Sequence, residues 1–516
     1  MDIQKLIDLL IQLDDAENLS GVLSTIEQNR VKKSDSLHLI NLFMRQKRMR
    51  LAYIIALWMD KNNIENIIIS LAICFGAILF SKPLEFQRGI SHLRQQADAL
   101  SRKEWTVTFD TIVHPALALL VDTLHHQPVI EPIVWQLVAF CKEYIPVFRS
   151  LLDLEAEPQP LSIASLRQSA RHHVDLIRYP LPLPNTTRPK RHAVCFMKDF
   201  YIPHRIVHAM NAYGWSATFY GTRDWGINPV DDILKVYNLS CQPLIDLLVV
   251  YTDQIVANTA QTKGFMLLFT QLRKINPEIK IVSVSCDAWG TRWGLAEGEM
   301  PSFRPDIYAI LDLVDAIWSS DSPSLPLWQD PRFSGKIFHT HIPHAGFKGS
   351  TERPFQPEMF YCGDKIFPEH WHRTLWLTAA DHFQLPVTTK THLHLSDGLP
   401  PLESYYGHLR RLEEATCCLH FNRKQTLTTI VTHRSFEAPI SGALLIQEFA
   451  PDMHRFFIPG EHYLEFNSLA ELRAIAQFIQ EEPDQADAMR RRGHAFAHQW
   501  YSDEKLIGYL DQFLWP

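Results

Sequence analysis

Arg434-Ser-Phe-Glu437-Ala-Pro-Ile-Ser-Gly442-Ala-Leu-Leu-Ile-Gln-Glu448 is the stretch on which the fold turns. It reads as a short helix feeding a buried strand. Ser435 is placed to cap the helix, Glu437 falls in its first turn, and Gly442 ends it. Ala443–Ile446 is apolar without interruption, as a strand covered on both faces requires. A carboxylate near a helix start, beside free backbone N–H groups, suits two tasks at once. The carboxylate accepts hydrogen bonds from a ribose diol, while the N–H groups and the helix dipole hold a phosphate. That pairing fits a nucleotide-sugar. A plainer reading, a Glu that only complements its own helix dipole, fits the segment as well. On the functional reading Glu437 stands exposed, so its removal leaves folding largely intact.

The segment has company. Upstream runs Ala415-Thr-Cys-Cys-Leu-His420-Phe-Asn422-Arg423. Downstream follow Ile458-Pro-Gly-Glu461-His-Tyr463, Ser468-Leu-Ala-Glu471, Glu482-Pro483 and Arg490-Arg-Arg-Gly493-His494. Together these resemble the C-terminal half of spore-maturation-protein-like glycosyltransferases of the GT-B fold. The resemblance runs over residues 355–510, is fold-level only over 190–350, and is absent from the first 150. It implies an α/β fold with two Rossmann-like domains facing across a cleft. The chain's last helix is expected to cross back to the first of them. It also implies transfer of a sugar from a nucleoside-diphosphate donor, with no further cofactor and no metal.

Composition sets outer bounds. The 516 residues suggest about three domains. A hydrophobic content of 46% is enough to build cores. A net charge of −7 gives no general pull toward nucleic acid or anionic membrane. Eight scattered cysteines include no CxxC pair and no zinc spacing, as in the reduced thiols of a cytoplasmic protein. The N-terminus has neither a basic n-region nor a signal h-region. Ile67–Phe80 is apolar but shorter than the roughly 20 residues of a spanning helix. It reads as a buried helix, and any membrane contact as peripheral.

Residues 1–155 read as helical throughout, with Leu6, Leu9, Leu10 and Leu13 at helical spacing. Further helices fit 48–60, 64–80, 84–101, 106–126 and 129–151. The hairpin rhythm suggests a helical-repeat body, although no repeat signature appears; such a prefix either binds a protein partner or pads a second domain, and these residues assign neither role. A Pro-rich linker with one bridging helix covers 156–189. Strands and helices then alternate, as in parallel sheets wound on both faces. Residues 190–345 make an N-terminal Rossmann-like domain on the acceptor side. Residues 346–516 make the C-terminal, nucleotide-sugar side.

Candidate site residues come from strand ends. Met359–Gly363 is a strand ending in glycine, followed by a helix that bears Arg373. This looks like the family's sugar-diphosphate site, and Arg forks onto phosphate oxygens. Arg373, Arg434 and Arg423 are candidates to disperse charge on the leaving diphosphate without a metal ion. Asn422 would donate to the nucleotide or sugar, and Glu437 would hold the ribose. Many retaining GT-B enzymes carry a second Glu eight residues earlier, where this chain has Thr429. That leaves a retaining or inverting outcome open. An inverting enzyme needs a general base near the acceptor, for which Asp287 and Asp199 are the candidates. His339, His341 and His344 lack a completing Cys or acid, so a phosphate or acceptor contact for His344 is favoured over a metal site.

Three functions fit these residues. One is a glycosyltransferase acting on a protein or glycan acceptor. The second is a non-catalytic GT-B relative used for binding or assembly. The third is an epimerase of UDP-sugars.

Overall fold

The computed structural model describes residues 3–15, 18–29, 36, 39–40, 42–43, 48–61, 67–79, 83–97, 156–169, 190–221, 229–241, 244–251, 259–285, 305–320, 330–363, 371–390, 399–425, 428–429 and 431–516. The helices expected at 106–126 and 129–151 and the later part of the bridging helix lie outside these. By its contacts the chain divides into two compact units. The first comprises residues 1–156, 364–384 and 425–427. The second comprises 157–363, 385–424 and 428–516. Both Rossmann-like halves fall in the second unit, and the segment bearing Arg373 is grouped with the first.

The described part of the first unit is helical: Ile3–Asp15, Leu19–Gln28, Met49–Lys61, Ile67–Leu79, Pro83–Ala97 and Trp371–His382. Ile67–Leu79 is apolar on all sides, and both Met49–Lys61 and Pro83–Ala97 pack against it. It is a core helix, as its length implied. Among the described residues no helix is long and apolar enough to cross a membrane.

The second unit holds two parallel sheets. Strands β1 (His192–Phe196), β2 (Ser216–Tyr220), β3 (Leu247–Tyr251), β4 (Lys280–Ser285), β5 (Ala316–Ser319) and β6 (Ile337–His339) lie in the order β2-β1-β3-β4-β5-β6. The second sheet uses β7 (Met359–Cys362), β8 (Val387–Lys390) and β9 (Cys417–His420). After a small pair, β10 (Arg423–Gln425) and β11 (Thr428–Thr429), it continues with β12 (Leu444–Glu448) and β13 (Leu464–Phe466). Its order is β13-β12-β9-β7-β8. Each sheet reverses its winding once, at β1/β3 and at β7/β9. In open parallel sheets, ligands sit at such points beyond the strand C-termini. Strands β3 and β12 are buried along their whole length, as apolar runs covered on both faces must be.

The last helix, Asp503–Leu514, returns to the first sheet. Arg191 donates to Asp511 at 2.8 Å and its guanidinium lies 3.5 Å from the Trp515 ring centroid. Phe338 on β6 packs against Tyr509 and Phe513. Two doubly wound sheets in series, with the final helix handed back to the first, is the GT-B plan.

Helix Arg434–Ser441 ends as read. Gly442 adopts φ 82°, and a Cβ there would meet the Ser350 carbonyl at 2.3 Å. Its start corrects the reading. The cap position is His433, without a side-chain cap bond, and the buried Ser435 hydroxyl makes no hydrogen bond among the described residues. The far end is pinned by helix Pro483–Tyr501. His494 donates to the Pro439 carbonyl at 2.8 Å and His498 to that of Ile440 at 3.2 Å. Arg490 donates to the carbonyls of Gly442, Thr351 and Arg353 at 3.1, 3.0 and 2.9 Å. Arg490→Leu should therefore cost about 3–5 kcal/mol, because three carbonyls and Asp487 lose a buried cation. Arg491→Leu, whose parent side chain is 53% exposed, should stay within about 0.5 kcal/mol of wild type. Urea unfolding of the two variants checks this, and equal costs would refute it.

Candidate functional site

The β7/β9 switch point is built first from a glycine. At Gly363 a Cβ would meet the Tyr361 hydroxyl at 2.6 Å and Arg434 Nη1 at 3.1 Å. Only a residue without a side chain lets a phenol and a guanidinium converge on the end of β7. Arg434 Nη1 also donates to the Cys362 carbonyl. The Tyr361 hydroxyl is buried and makes no hydrogen bond among the described residues. The same holds for the Ser435 hydroxyl, both polar atoms of the Gln447 amide and Asn422 Oδ1. Buried polar atoms in native proteins are nearly always satisfied, so this concentration on β7, on β12, after β9 and in the adjoining helix is unusual.

Glu437 is not exposed, which corrects the expectation that its removal would spare the fold. It is 5% exposed. Its Oε1 lies 3.4 Å from Arg205 Nη1 and its Oε2 3.2 Å from His408 Nε2. Burial pushes the Glu437 carboxyl up, but the His408 hydrogen bond and the charges of His408, Arg205 and Arg434 outweigh it. Its pKa stands well below the usual range. Burial likewise pushes His408 down, while hydrogen bonds to Cys362 and Glu437 hold it above its ordinary value. The N–H groups of the first turn are also occupied. Ser435 N donates to Thr432 O, and Phe436 N and Glu437 N donate to His433 O, at 3.1, 3.0 and 2.9 Å. The free N–H cradle expected for a phosphate is therefore absent at these three positions, and Arg434 is the donor that reaches the strand end.

Arg205 joins the two sheets. It comes from helix Tyr201–Tyr213, which follows β1, and is fully buried. It donates to the carbonyls of Pro343 and Ile342, meets Glu437, and lies 4.0 Å from the Tyr405 ring centroid. Tyr405 in turn pairs with His344 Nδ1 at 3.0 Å. His344 N and Gly346 N donate to Asp503 at 2.6 and 2.7 Å. Burial and the nearby His341 and Arg205 push His344 well below the usual imidazole value, so it is neutral.

The other candidates fare differently. Asn422 lies at the β9 mouth as expected, but its Nδ2 is committed to the Glu448 carbonyl at 2.7 Å and its N–H to the Glu448 carboxylate at 3.1 Å. The donor assigned to a nucleotide is thus used by the protein, leaving Oδ1. Asp199, after β1, is bonded to His204 at 2.7 Å. Asp287 and the Arg423 side chain lie outside the described residues. Arg373 is buried on Trp371–His382, which belongs to the first unit. His341 gives Nε2 to the Tyr501 carbonyl and stacks on Phe436 at 4.2 Å, so it serves packing. Among the described residues no group of three or more metal-ligating side chains gathers. The sequence reading missed Arg205, His408, Tyr405, Cys362 and Asp503. None stands in a motif, because each reaches the site through the fold alone.

Residues 370–507 match a family model described as glycosyl transferase-like. That description is broader than the spore-maturation-like group the sequence resembles. No curated protein matches the chain. Similar solved structures include HepE from Anabaena in complex with UDP and glucose, at 11% identity and a TM-score of 0.40, covering 62% of this chain and 99% of that one. Sucrose-phosphate synthase from Thermosynechococcus elongatus has 10% identity and a TM-score of 0.41, with 62% and 98% covered. A glycosyltransferase from Rickettsia africae has 8% identity and a TM-score of 0.39, with 63% and 98% covered.

The Glu437–His408 pair has a pH signature. Glu437 is depressed, so its contribution to stability is present above the ordinary carboxylate value of 4.5 and is lost as pH falls through the lower folded value. His408 is raised, so its contribution is complete below 6.5 and is lost as pH rises through the higher folded value. The pair stabilises most between 4.5 and 6.5. His408→Gln should cost about 1–3 kcal/mol near pH 6 and progressively less as pH rises through the raised value of His408. Urea unfolding across that range measures it, and a cost independent of pH would contradict the pairing.

Proposed function

We propose that the chain is a glycosyltransferase that takes a sugar from a nucleoside-diphosphate donor and passes it to a protein or glycan acceptor. The observation that carries this is the convergence of Arg434 and the Tyr361 hydroxyl on Gly363, at the switch point of the second sheet. A guanidinium and a hydroxyl at a glycine-ended strand suit a diphosphate, which gains negative charge as it leaves. The family-model match over 370–507 spans the helix that supplies both Arg434 and Glu437, and supports the same reading. Each carboxylate oxygen of Glu437 keeps a lone pair beyond its present contact, so a ribose diol can share it. Asp199, oriented by His204, is the carboxylate proposed for the acceptor side. Transfer is proposed to need no metal ion.

One observation favours a second reading, a relative that binds without transfer. Glu437 and the Asn422 amide are both engaged by protein groups. The two readings separate cleanly. For the transferase, UDP or another nucleoside diphosphate raises the melting point, and one of its sugar conjugates is slowly hydrolysed without acceptor and in the presence of EDTA. Binding without turnover of any conjugate selects the second reading, and release of an epimerised sugar selects an epimerase. Arg434→Lys should weaken the nucleoside diphosphate about tenfold, since an ammonium cannot reproduce a forked contact. No melting shift with any nucleoside diphosphate would overturn the proposal.

A further inference from the structure

The ends of β4, β5 and β6 carry polar chemistry that the proposed transfer leaves unused. In the first sheet Ser285 pairs with Ser319, and Ser319 with His339. Residues in register on parallel strands point to one face, so the three side chains stand in a row at the strand C-termini. All three are buried, and the Ser285 hydroxyl makes no hydrogen bond among the described residues. A buried hydroxyl without a partner is uncommon, and a ligand can supply one. The row ends on a cation from the second sheet. Arg455 Nη1 donates to His339 Nδ1 at 3.3 Å. Burial and the Arg455 charge push His339 down to about 3, so its imidazole is neutral and accepts.

Arg455 is held in place from both sides. It ends the short 3₁₀ helix Pro451–Arg455, which follows β12. On one side, His454 Nε2 pairs with the two oxygens of Glu465 at 3.0 and 2.8 Å, and the Tyr463 hydroxyl donates to the same carboxylate at 2.7 Å. On the other, Phe456 packs on His339, Phe436 and Tyr501. The guanidinium between these anchors is only partly satisfied. Its side chain is 37% exposed, and the Asp452 carboxylate it faces lies 3.7 Å away, beyond hydrogen-bond reach. N–H groups of the fork therefore remain open at strand ends, where open parallel sheets take their ligands.

We propose that Arg455 and the Ser285–Ser319 row bind a phosphoryl group of the acceptor, so that the substrate receiving the sugar is a phosphorylated one. Calling that group the acceptor's rests on the transferase reading, whereas the anion rests on the residues above. Arg forks onto phosphate oxygens, and serine hydroxyls donate to them. Two strand spacings, about 10 Å, separate Ser285 from His339. A phosphoryl group with one hydrogen bond of about 2.8 Å on each side bridges most of that gap between Ser285 and the guanidinium beside His339. The donor's diphosphate is assigned to Gly363 and Arg434 on the second sheet, so the two anions occupy different strand ends.

The experiment titrates inorganic phosphate into the full-length protein by calorimetry, alone and with saturating UDP. Phosphate should bind in both states with the same affinity, because UDP fills the Gly363 and Arg434 site and leaves Arg455 open. Arg455→Gln keeps an N–H donor but removes the charge, and should weaken phosphate about tenfold without changing UDP affinity. Ser285→Ala removes only the hydroxyl and should weaken phosphate about fivefold. If Arg455→Gln does not fold, Ser285→Ala decides. If UDP fails to bind, the transferase reading falls, while phosphate binding lost in Arg455→Gln still supports an anion site here. Displacement of phosphate by UDP would leave only the donor's own subsite and overturns the proposal. So does phosphate affinity equal to wild type in either folded variant, or no phosphate binding at all.

Discussion

Arg205 carries a permanent positive charge with no exposure to solvent, and much of the second unit is arranged around that fact. A lone guanidinium in such a place would cost several kcal/mol in lost hydration, and in practice persists only with good partners. Its partners here come from three parts of the chain. Two are carbonyls of the segment joining the sheets, one is the Glu437 carboxylate, and one is the face of Tyr405. Satisfying one cation therefore fixes the connecting segment, the helix that follows β12's partner strand β9, and the helix after β1 in a single geometry. Asp503 completes the arrangement by holding His344 and Gly346 from the start of the last helix.

Charge alternates outward from that centre. Arg205 and His408 flank Glu437, and Arg434 reaches the Cys362 carbonyl at the end of β7. Each charge is stabilised by its neighbours rather than by water, which is why Glu437 lies far below and His408 above its ordinary value despite burial. The same low-dielectric setting strengthens any ligand charge placed at the end of β7. Fold and site are thus one construction, since the groups that hold the sheets together also polarise the strand end.

The two-sheet plan was legible because it is local. Apolar runs such as Leu247–Tyr251 and Ala443–Ile446, alternating with helical spacing, identify buried parallel strands before any contact is known. Gly442 was legible for the same reason, as helix end and turn are neighbours. The helix start was not. Ser435 looks like a cap, yet a turn at Thr432–His433 supplies the carbonyls that occupy the first N–H groups. The position of Asn422 was readable, whereas its partner Glu448 lies 26 residues on and makes it structural. Arg205 and Glu437 are 232 residues apart, so no spacing rule joins them. Glu437 was assigned to an exposed surface because the cation that buries it belongs to the other sheet.

Hydrogen–deuterium exchange with and without saturating UDP tests the central claim most directly, because it locates the ligand without presuming turnover. Binding at the β7/β9 switch point predicts slowed exchange in peptides containing Gly363 and Arg434–Glu437, with little change in β4 and β5. Protection confined to the first sheet, or none at concentrations that raise the melting point, would contradict the placement of the nucleoside diphosphate at Gly363 and Arg434.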